Sequence, residues 1–206
     1  MGVSERPTFS LEALGQVYMN MKTAGILLVT FWCCLLAACR EVSFPVAQPA
    51  GIAALQEVPS PLCGAYVASN EKTGERSDTL LIESWGYHFK DTRDKDWLGR
   101  GTLSDSLVVK FYRDYYFVNF RVGDQWVLRL IQQMPDGNIR FMSIDLGADH
   151  HQDVLKRLSK RVKLKEVKRG EDTYYQINPT PEQLLELINA GFFTGVTWAQ
   201  KTKATR

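Results

Sequence analysis

The chain has 206 residues, of which 45% are hydrophobic, 23% charged and 11% aromatic. This length and apolar content predict one globular domain with a real core, and they exclude wholesale disorder, a collagen-like fibre and a multi-span membrane protein. With 25 Lys+Arg against 23 Asp+Glu, the formal net charge is only +2. We therefore expect no nucleic-acid partner, because no overall positive field attracts such a polyanion.

Near the N-terminus, an apolar segment lies between a positive flank and a cysteine. Lys22 precedes a run of 15 residues, 24–38, that carries no charge, and Cys39 follows the run directly. Crossing a bilayer takes about 20 apolar residues, so the run is short for a transmembrane helix. Its length and its positive flank are typical of a secretory signal peptide.

The run ends in Leu36-Ala37-Ala38-Cys39, which resembles the lipobox of bacterial lipoproteins. The resemblance implies cleavage between Ala38 and Cys39, a diacylglycerol thioether on Cys39, and a further acyl chain such as palmitate on the new amino group. Two or three acyl chains anchor a protein stably, whereas one does not. Arg40 stands where an aspartate retains Gram-negative lipoproteins at the inner membrane. The resemblance therefore implies a lipid-anchored protein of the outer membrane that faces the periplasm.

Three segments follow from this interpretation. We predict that translation begins at Met21 or Met19, so that residues 1–38 comprise an N-terminal extension and a lipoprotein signal peptide. Residues 39–61 contain four of the chain's eight prolines, which remove backbone donors, and they predict a lipidated cysteine followed by a flexible, proline-rich tether. Residues 62–206 are predicted to form a single β-rich globular domain.

The cysteines are consistent with this organisation. Cys33 and Cys34 leave with the signal peptide and Cys39 carries the lipid, so only Cys63 of the four cysteines remains free. No intrachain disulfide can form in such a chain. We expect Cys63 to be a buried, unreactive thiol.

A four-stranded meander is the clearest structural pattern. Residues 106–146 contain four runs rich in β-branched and aromatic residues, separated by Arg113-Asp114, Gly123-Asp124 and Pro135-Asp136-Gly137. These separators are typical of hairpin turns, so the four strands are predicted to be antiparallel. Because both faces of the strands carry apolar side chains, the sheet is expected to be covered on both sides or curled into a barrel-like form. Shorter strands are predicted over residues 64–68, over 79–89 with a break or bulge around Gly86, and over 196–200.

Two helices are predicted in the C-terminal half. Asp149 is a candidate N-cap for a helix over residues 150–161. Thr180-Pro181-Glu182-Gln183 combines a cap, a proline at the first helical position and a glutamine at the third, and Gly191 suits the helix end. A hairpin that turns at Gly170 lies between the two helices. The fold class is therefore predicted as α+β and β-rich.

One strongly basic segment is the candidate for partner binding. Residues 156–169 contain eight cations and a single acid, Glu166. We expect an exposed face for an anionic lipid, an envelope polymer or an envelope protein, where each cation contributes roughly 1 kcal/mol at an anionic membrane surface. The alternative is a solvated surface that protects an edge strand from pairing. The predicted face consists of Lys160, Arg161, Lys163, Lys165, Lys168 and Arg169.

No catalytic constellation is found, and no cofactor is expected. The segment Asp149-His150-His151 resembles the motif of the phosphoesterases named after Asp-His-His, but the further aspartate motifs of that family are absent from the sequence. Adjacent histidines on a helix point about 100° apart, so only His150 and Asp153 share a face. A small metal-dependent envelope hydrolase that uses His150, His151 and Asp153 is therefore the rival interpretation, and a polar first helical turn is the simpler one.

A second alternative is a lipid carrier. Gly64-Ala65-Tyr66 resembles the Gly-x-Trp start of the lipocalins, with tyrosine in place of tryptophan. The resemblance implies a ligand cavity inside a curled, aromatic-rich sheet. The leading prediction from the sequence remains a non-enzymatic envelope lipoprotein whose β-rich domain binds a ligand or partner.

Overall fold

The structure, a computed structural model, describes residues 40–69, 76–90, 99–147 and 150–202. These residues form twelve β-strands and two α-helices. In chain order they are β1 (Arg40–Phe44), β2 (Gly64–Ser69), β3 (Arg76–Glu83), β4 (Gly86–Phe89), β5 (Arg100–Thr102), β6 (Leu107–Tyr112), β7 (Tyr115–Val122), β8 (Gln125–Gln133), β9 (Ile139–Ser143), α1 (His151–Ser159), β10 (Leu164–Arg169), β11 (Asp172–Ile177), α2 (Pro181–Asn189) and β12 (Gly195–Lys201).

The strands form one mixed sheet in the order β10-β11-β1-β8-β9-β12-β2-β3-β4-β5, and β6 and β7 extend from the other edge of β8. β8 is the central strand, because β7 pairs along one of its edges while β1 and β9 share the other. β1 and β11 are parallel, and the other pairs among the described strands are antiparallel. The predicted meander, β6 to β9, is confirmed.

The sheet curls around one of its two apolar clusters. This inner cluster includes Ile82 of β3 and Val118 of β7, although four strands separate β3 from β7 in the sheet order. Their side chains meet only because the sheet bends back on itself. Between β5 and β6, the strands where the curled sheet comes back toward itself, the described residues form one isolated bridge, from Ser104 to Leu107. β5 and β6 are not paired along their lengths, so the described sheet is not a closed barrel. The predicted β-rich α+β fold with a curled sheet is thus confirmed.

The helices cover the opposite face of the sheet. Leu158 of α1 and Leu184 of α2 are fully buried against Phe117 and Leu130, which lie on β7 and β8. The apolar stripe of each helix therefore closes a second cluster, called here the helix-side cluster. α1 begins close to the predicted position, with His150 as its N-cap residue and no side-chain cap hydrogen bond, whereas the predicted cap Asp149 lies outside the described residues.

The predicted start and end of α2 are both confirmed. The Thr180 hydroxyl accepts a hydrogen bond from the Gln183 backbone N–H at 3.2 Å, and the Gln183 side chain accepts one from the Thr180 backbone N–H at 3.0 Å. At the other end, Gly191 has a φ of 72° and its N–H donates to the carbonyl of Ile188. The left-handed conformation suits glycine, because it has no Cβ to clash there.

Replacing Thr180 by alanine is expected to lower the free energy of unfolding by about 1 kcal/mol, because the Gln183 N–H loses its acceptor. Thr194→Ala is the matched control, since Thr194 is exposed and its hydroxyl has no hydrogen-bond partner among the described residues. Urea unfolding followed by circular dichroism measures both variants. Equal stabilities of the two would contradict the capping role.

The predicted tether over residues 39–61 is wrong, because the folded domain begins at Arg40 rather than near residue 62. Residues 40–44 form β1, in which Val42 is 3% and Phe44 1% exposed. β1 pairs with β11 on one side and with β8 on the other. The chain from Arg40 onward thus contributes an interior strand of the sheet and part of its core.

The residues after β1 are also bound to the sheet. Gln48 is fully buried, its backbone N–H donates to the Asn119 side chain at 2.7 Å, and its carbonyl accepts from the same amide at 2.8 Å. The Lys110 ammonium donates to the carbonyls of Ala47 and Pro49 at 2.7 and 2.9 Å. Prolines exclude regular structure only where they stand, so they do not prevent side chains of the sheet from holding an irregular segment.

Candidate functional site

The six predicted partner-binding cations lie between the end of α1 and the end of β10. β10 is the terminal strand of the sheet order and pairs with β11 alone among the described strands. An edge strand leaves one row of backbone groups and many of its side chains open to solvent. Accordingly, all six residues are exposed. We call them together the basic edge.

Two members of the basic edge have partners on the helix side. The Arg161 guanidinium lies 5.9 Å from the centre of the Phe192 ring, so part of its charge faces an aromatic surface. The Lys168 ammonium is 3.7 Å from a Glu166 carboxylate oxygen, and both side chains are well exposed. An exposed pair of this kind is weak, because water screens it.

A third member, Arg169, connects the β10–β11 hairpin to another part of the sheet. Its guanidinium is 3.0 Å from the Asp124 carboxylate and donates to the Val122 carbonyl at 3.1 Å. Val122 is the last residue of β7, and Asp124 lies in the turn between β7 and β8. Arg169 is therefore engaged in holding this turn, and its charge is partly neutralised.

Three lysines remain available. Lys160, Lys163 and Lys165 are exposed, and no carboxylate within the described ranges pairs with any of them. We call these residues the lysine trio. Their ammonium groups are the positive charges of the basic edge that are best placed to meet an external anion.

The basic edge is not one continuous face of β10. Side chains alternate along a strand, so Lys165 and Arg169 lie on one side of β10 while Glu166 and Lys168 lie on the other. Because β10 is at the edge, long lysine side chains from either side can still reach around it. The sequence indicated the exposure of these residues but not this division between two faces.

Sequence reasoning missed one cation close to the basic edge. Arg40 pairs with Thr173 of β11, and Thr173 pairs in turn with Lys168 of β10. Since neighbouring strands lie about 4.8 Å apart, the Cα atoms of Arg40 and Lys168 are about 10 Å apart. No local signal in the sequence could have indicated this, because the two residues come from distant segments joined by a parallel strand pair.

The histidines of the rival interpretation make separate contacts. The Nε2 atom of His150 lies 3.6 Å from an Asp145 carboxylate oxygen, whereas Nε2 of His151 lies 3.0 Å from the Gln152 amide nitrogen. Asp153 is exposed on the first turn of α1. In the part of the chain that the structure describes, no group of three or more His, Cys, Asp or Glu side chains is arranged to hold a metal ion.

Neutral tyrosines lie on the inner side of the curled sheet. Tyr66 is fully buried in the inner cluster, and its hydroxyl donates to the Leu62 carbonyl at 2.9 Å. Burial raises the pKa of Tyr66 and of Tyr87 to about 12, because the charged phenolate is poorly solvated there. The residue that stands in place of the lipocalin tryptophan, Tyr66, is thus part of the packed interior.

The free thiol of Cys63 is partly buried rather than fully buried as predicted, and it stays in its protonated form. Burial raises the pKa of Cys63, although the nearby Lys201 ammonium opposes the change. The sulfur atom lies 3.6 Å from the Pro59 carbonyl oxygen. A protonated thiol is a poor nucleophile, so these contacts favour a structural role.

Neither described helix, each nine residues long, has the length and apolar character needed to cross a membrane.

No protein-family model matches this chain, and no curated protein or solved structure is significantly similar to it.

Proposed function

We propose that this chain is a lipid-anchored protein of the bacterial cell envelope whose β-rich domain binds an anionic partner without catalysing a reaction. The observation that carries the binding role is the lysine trio, three exposed ammonium groups on and beside an edge strand with no carboxylate partner among the described residues. Such charges attract phosphate or carboxylate groups and retain most of their attraction when no acid competes for them.

The anchor in this proposal is the lipid on Cys39. Small residues at Ala37 and Ala38 allow a peptidase to approach the bond before Cys39. The Cys39 thiolate forms the thioether by displacing the phosphate headgroup from the diacylglyceryl carbon of a membrane phospholipid. Arg40 at the second position of the mature chain supports outer-membrane sorting with the domain in the periplasm. The anchor concentrates the domain at a surface, and the basic edge supplies the attraction to its partner.

Replacing Cys39 by alanine is expected to abolish both cleavage and lipidation. The variant should lose the mass of the acyl chains and keep the signal peptide, and its domain should no longer be anchored through lipid. Intact-mass spectrometry of the protein from membrane and soluble fractions measures all three changes.

The matched control is Cys34→Ala, which changes a cysteine inside the apolar run and leaves the four-residue lipobox intact. This variant should be cleaved, lipidated and membrane-bound like the parent chain. An unmodified Cys39 in the parent protein, or an unchanged membrane-bound product from Cys39→Ala, would overturn the anchor.

A further inference from the structure

We infer that the basic edge docks on the anionic phospholipid headgroups of the same membrane that holds the protein, so that the domain lies on the bilayer surface. This inference rests on the proposed lipidation of Cys39. It goes further by naming the anionic partner and by fixing which side of the domain faces the membrane.

The first step is the distance between the anchor and the domain. A flexible tether over residues 40–61 would span roughly 25 Å and would let the domain rotate freely. Instead, Arg40 is already paired with Thr173 of β11 as the first residue of β1. Cys39 precedes Arg40 directly in the sequence and is joined to it by one peptide bond. A lipid on Cys39 therefore brings the Arg40 end of β1 to the headgroup layer.

The second step is the distance from Arg40 to the basic edge. Lys168 is in the same cross-strand row as Arg40, about 10 Å away. Lys165 is in the row of Gln176 and Ser43, three residues further along β1, so its Cα atom is about 14 Å from that of Arg40. An extended lysine side chain covers part of this distance. The headgroups around the anchor are thus within reach of β10.

The third step is the charge. The acids around the hairpin end of β10 lie beside cations or in the turn: Glu166 pairs with Lys168, Asp124 pairs with Arg169, Glu171 lies in the turn, and Asp172 stands opposite Arg169 on β11. The positive excess is therefore at the lysine trio, toward the end of β10 that follows α1 and away from the hairpin turn. Attraction to an anionic surface extends over a screening length of about 8–10 Å, and anchoring to the same surface keeps the local concentration of lipid phosphates high.

The test uses the lipidated protein purified from membranes and reconstituted into two kinds of vesicle. One kind contains phosphatidylcholine alone, and the other contains equal amounts of phosphatidylcholine and phosphatidylglycerol. Lysines are acetylated at low conversion, and mass spectrometry gives the rate at each site. Lys160, Lys163 and Lys165 should react at least about 5-fold more slowly on the anionic vesicles. Exposed Lys90 should react equally on both, and high salt should remove the difference.

A triple variant, Lys160→Gln/Lys163→Gln/Lys165→Gln, tests the cooperative contribution of the trio. It should lose the slow acetylation of neighbouring Lys168 on anionic vesicles, whereas the control variant Lys90→Gln should retain it. All of these side chains are exposed, so both variants are expected to fold.

The outcomes separate this inference from the proposed function. If the intact mass includes the acyl chains but the trio reacts at the same rate on both vesicles, docking on lipid headgroups is wrong while the anchor stands. Protection that appears only when an acidic polymer is added would also overturn it. If the intact mass shows no lipid, the anchor itself fails. Slow acetylation on the anionic vesicles alone supports the inference.

Discussion

Replacing Phe44 by alanine is expected to lower the free energy of unfolding by about 3–5 kcal/mol. Phe44 is 1% exposed, pairs with Trp126 through β1 and β8, and packs in the helix-side cluster. Removing the ring therefore leaves a cavity between the sheet and the helices. Urea unfolding of residues 40–206, monitored by tryptophan fluorescence, measures the loss.

The matched control for this prediction is Val46→Ala, two residues further along the chain. Val46 is 46% exposed, so its truncation should change the free energy of unfolding by no more than about 0.5 kcal/mol. The contrast tests where the folded domain begins. If Phe44→Ala were as stable as Val46→Ala, residues 40–44 would behave as a tether and the anchor would no longer lie next to the sheet.

Replacing Asn119 by leucine is expected to lower the free energy of unfolding by about 3 kcal/mol. The Asn119 amide is fully buried, and it satisfies both backbone groups of Gln48. Leucine has a similar size but offers neither donor nor acceptor, so a buried N–H and a buried C=O lose their partners, at about 1–3 kcal/mol each. The irregular segment after β1 should then detach from the sheet.

Limited proteolysis detects this detachment directly, because cleavage near Gln48 requires the segment to leave the sheet. Asn178→Leu is the control, since Asn178 is exposed and its substitution should alter neither stability nor cleavage. The Lys110 ammonium contributes to the same attachment through the carbonyls of Ala47 and Pro49. Burial of the Lys110 side chain lowers its pKa below the ordinary lysine value, because the charged ammonium is less well solvated there. Unchanged cleavage of Asn119→Leu near Gln48 would contradict the attachment by Asn119.

The interactions that were predicted correctly join residues close together in the chain. The Thr180–Gln183 capping box spans one helical turn, and the turns of the meander consist of a few residues between adjacent strands. A few neighbouring residues specify a helix end or a hairpin turn, because the alternative conformations of that segment involve only those same residues. The segment that resembles a signal peptide and the lipobox at Cys39 are also patterns of adjacent residues, and both remain predictions.

By itself, the sequence determined the β-rich α+β class, the meander, the ends of α2 and the presence of a concentrated basic segment. Only the tertiary structure decided that β1 is an interior strand, that Asn119 holds Gln48 from 71 residues away, and that Arg40 lies close to the basic edge. These features depend on parallel pairing and on buried hydrogen bonds between distant segments. A short strand followed by prolines has no local pattern that indicates its partners, because those partners are brought together only when the whole sheet curls.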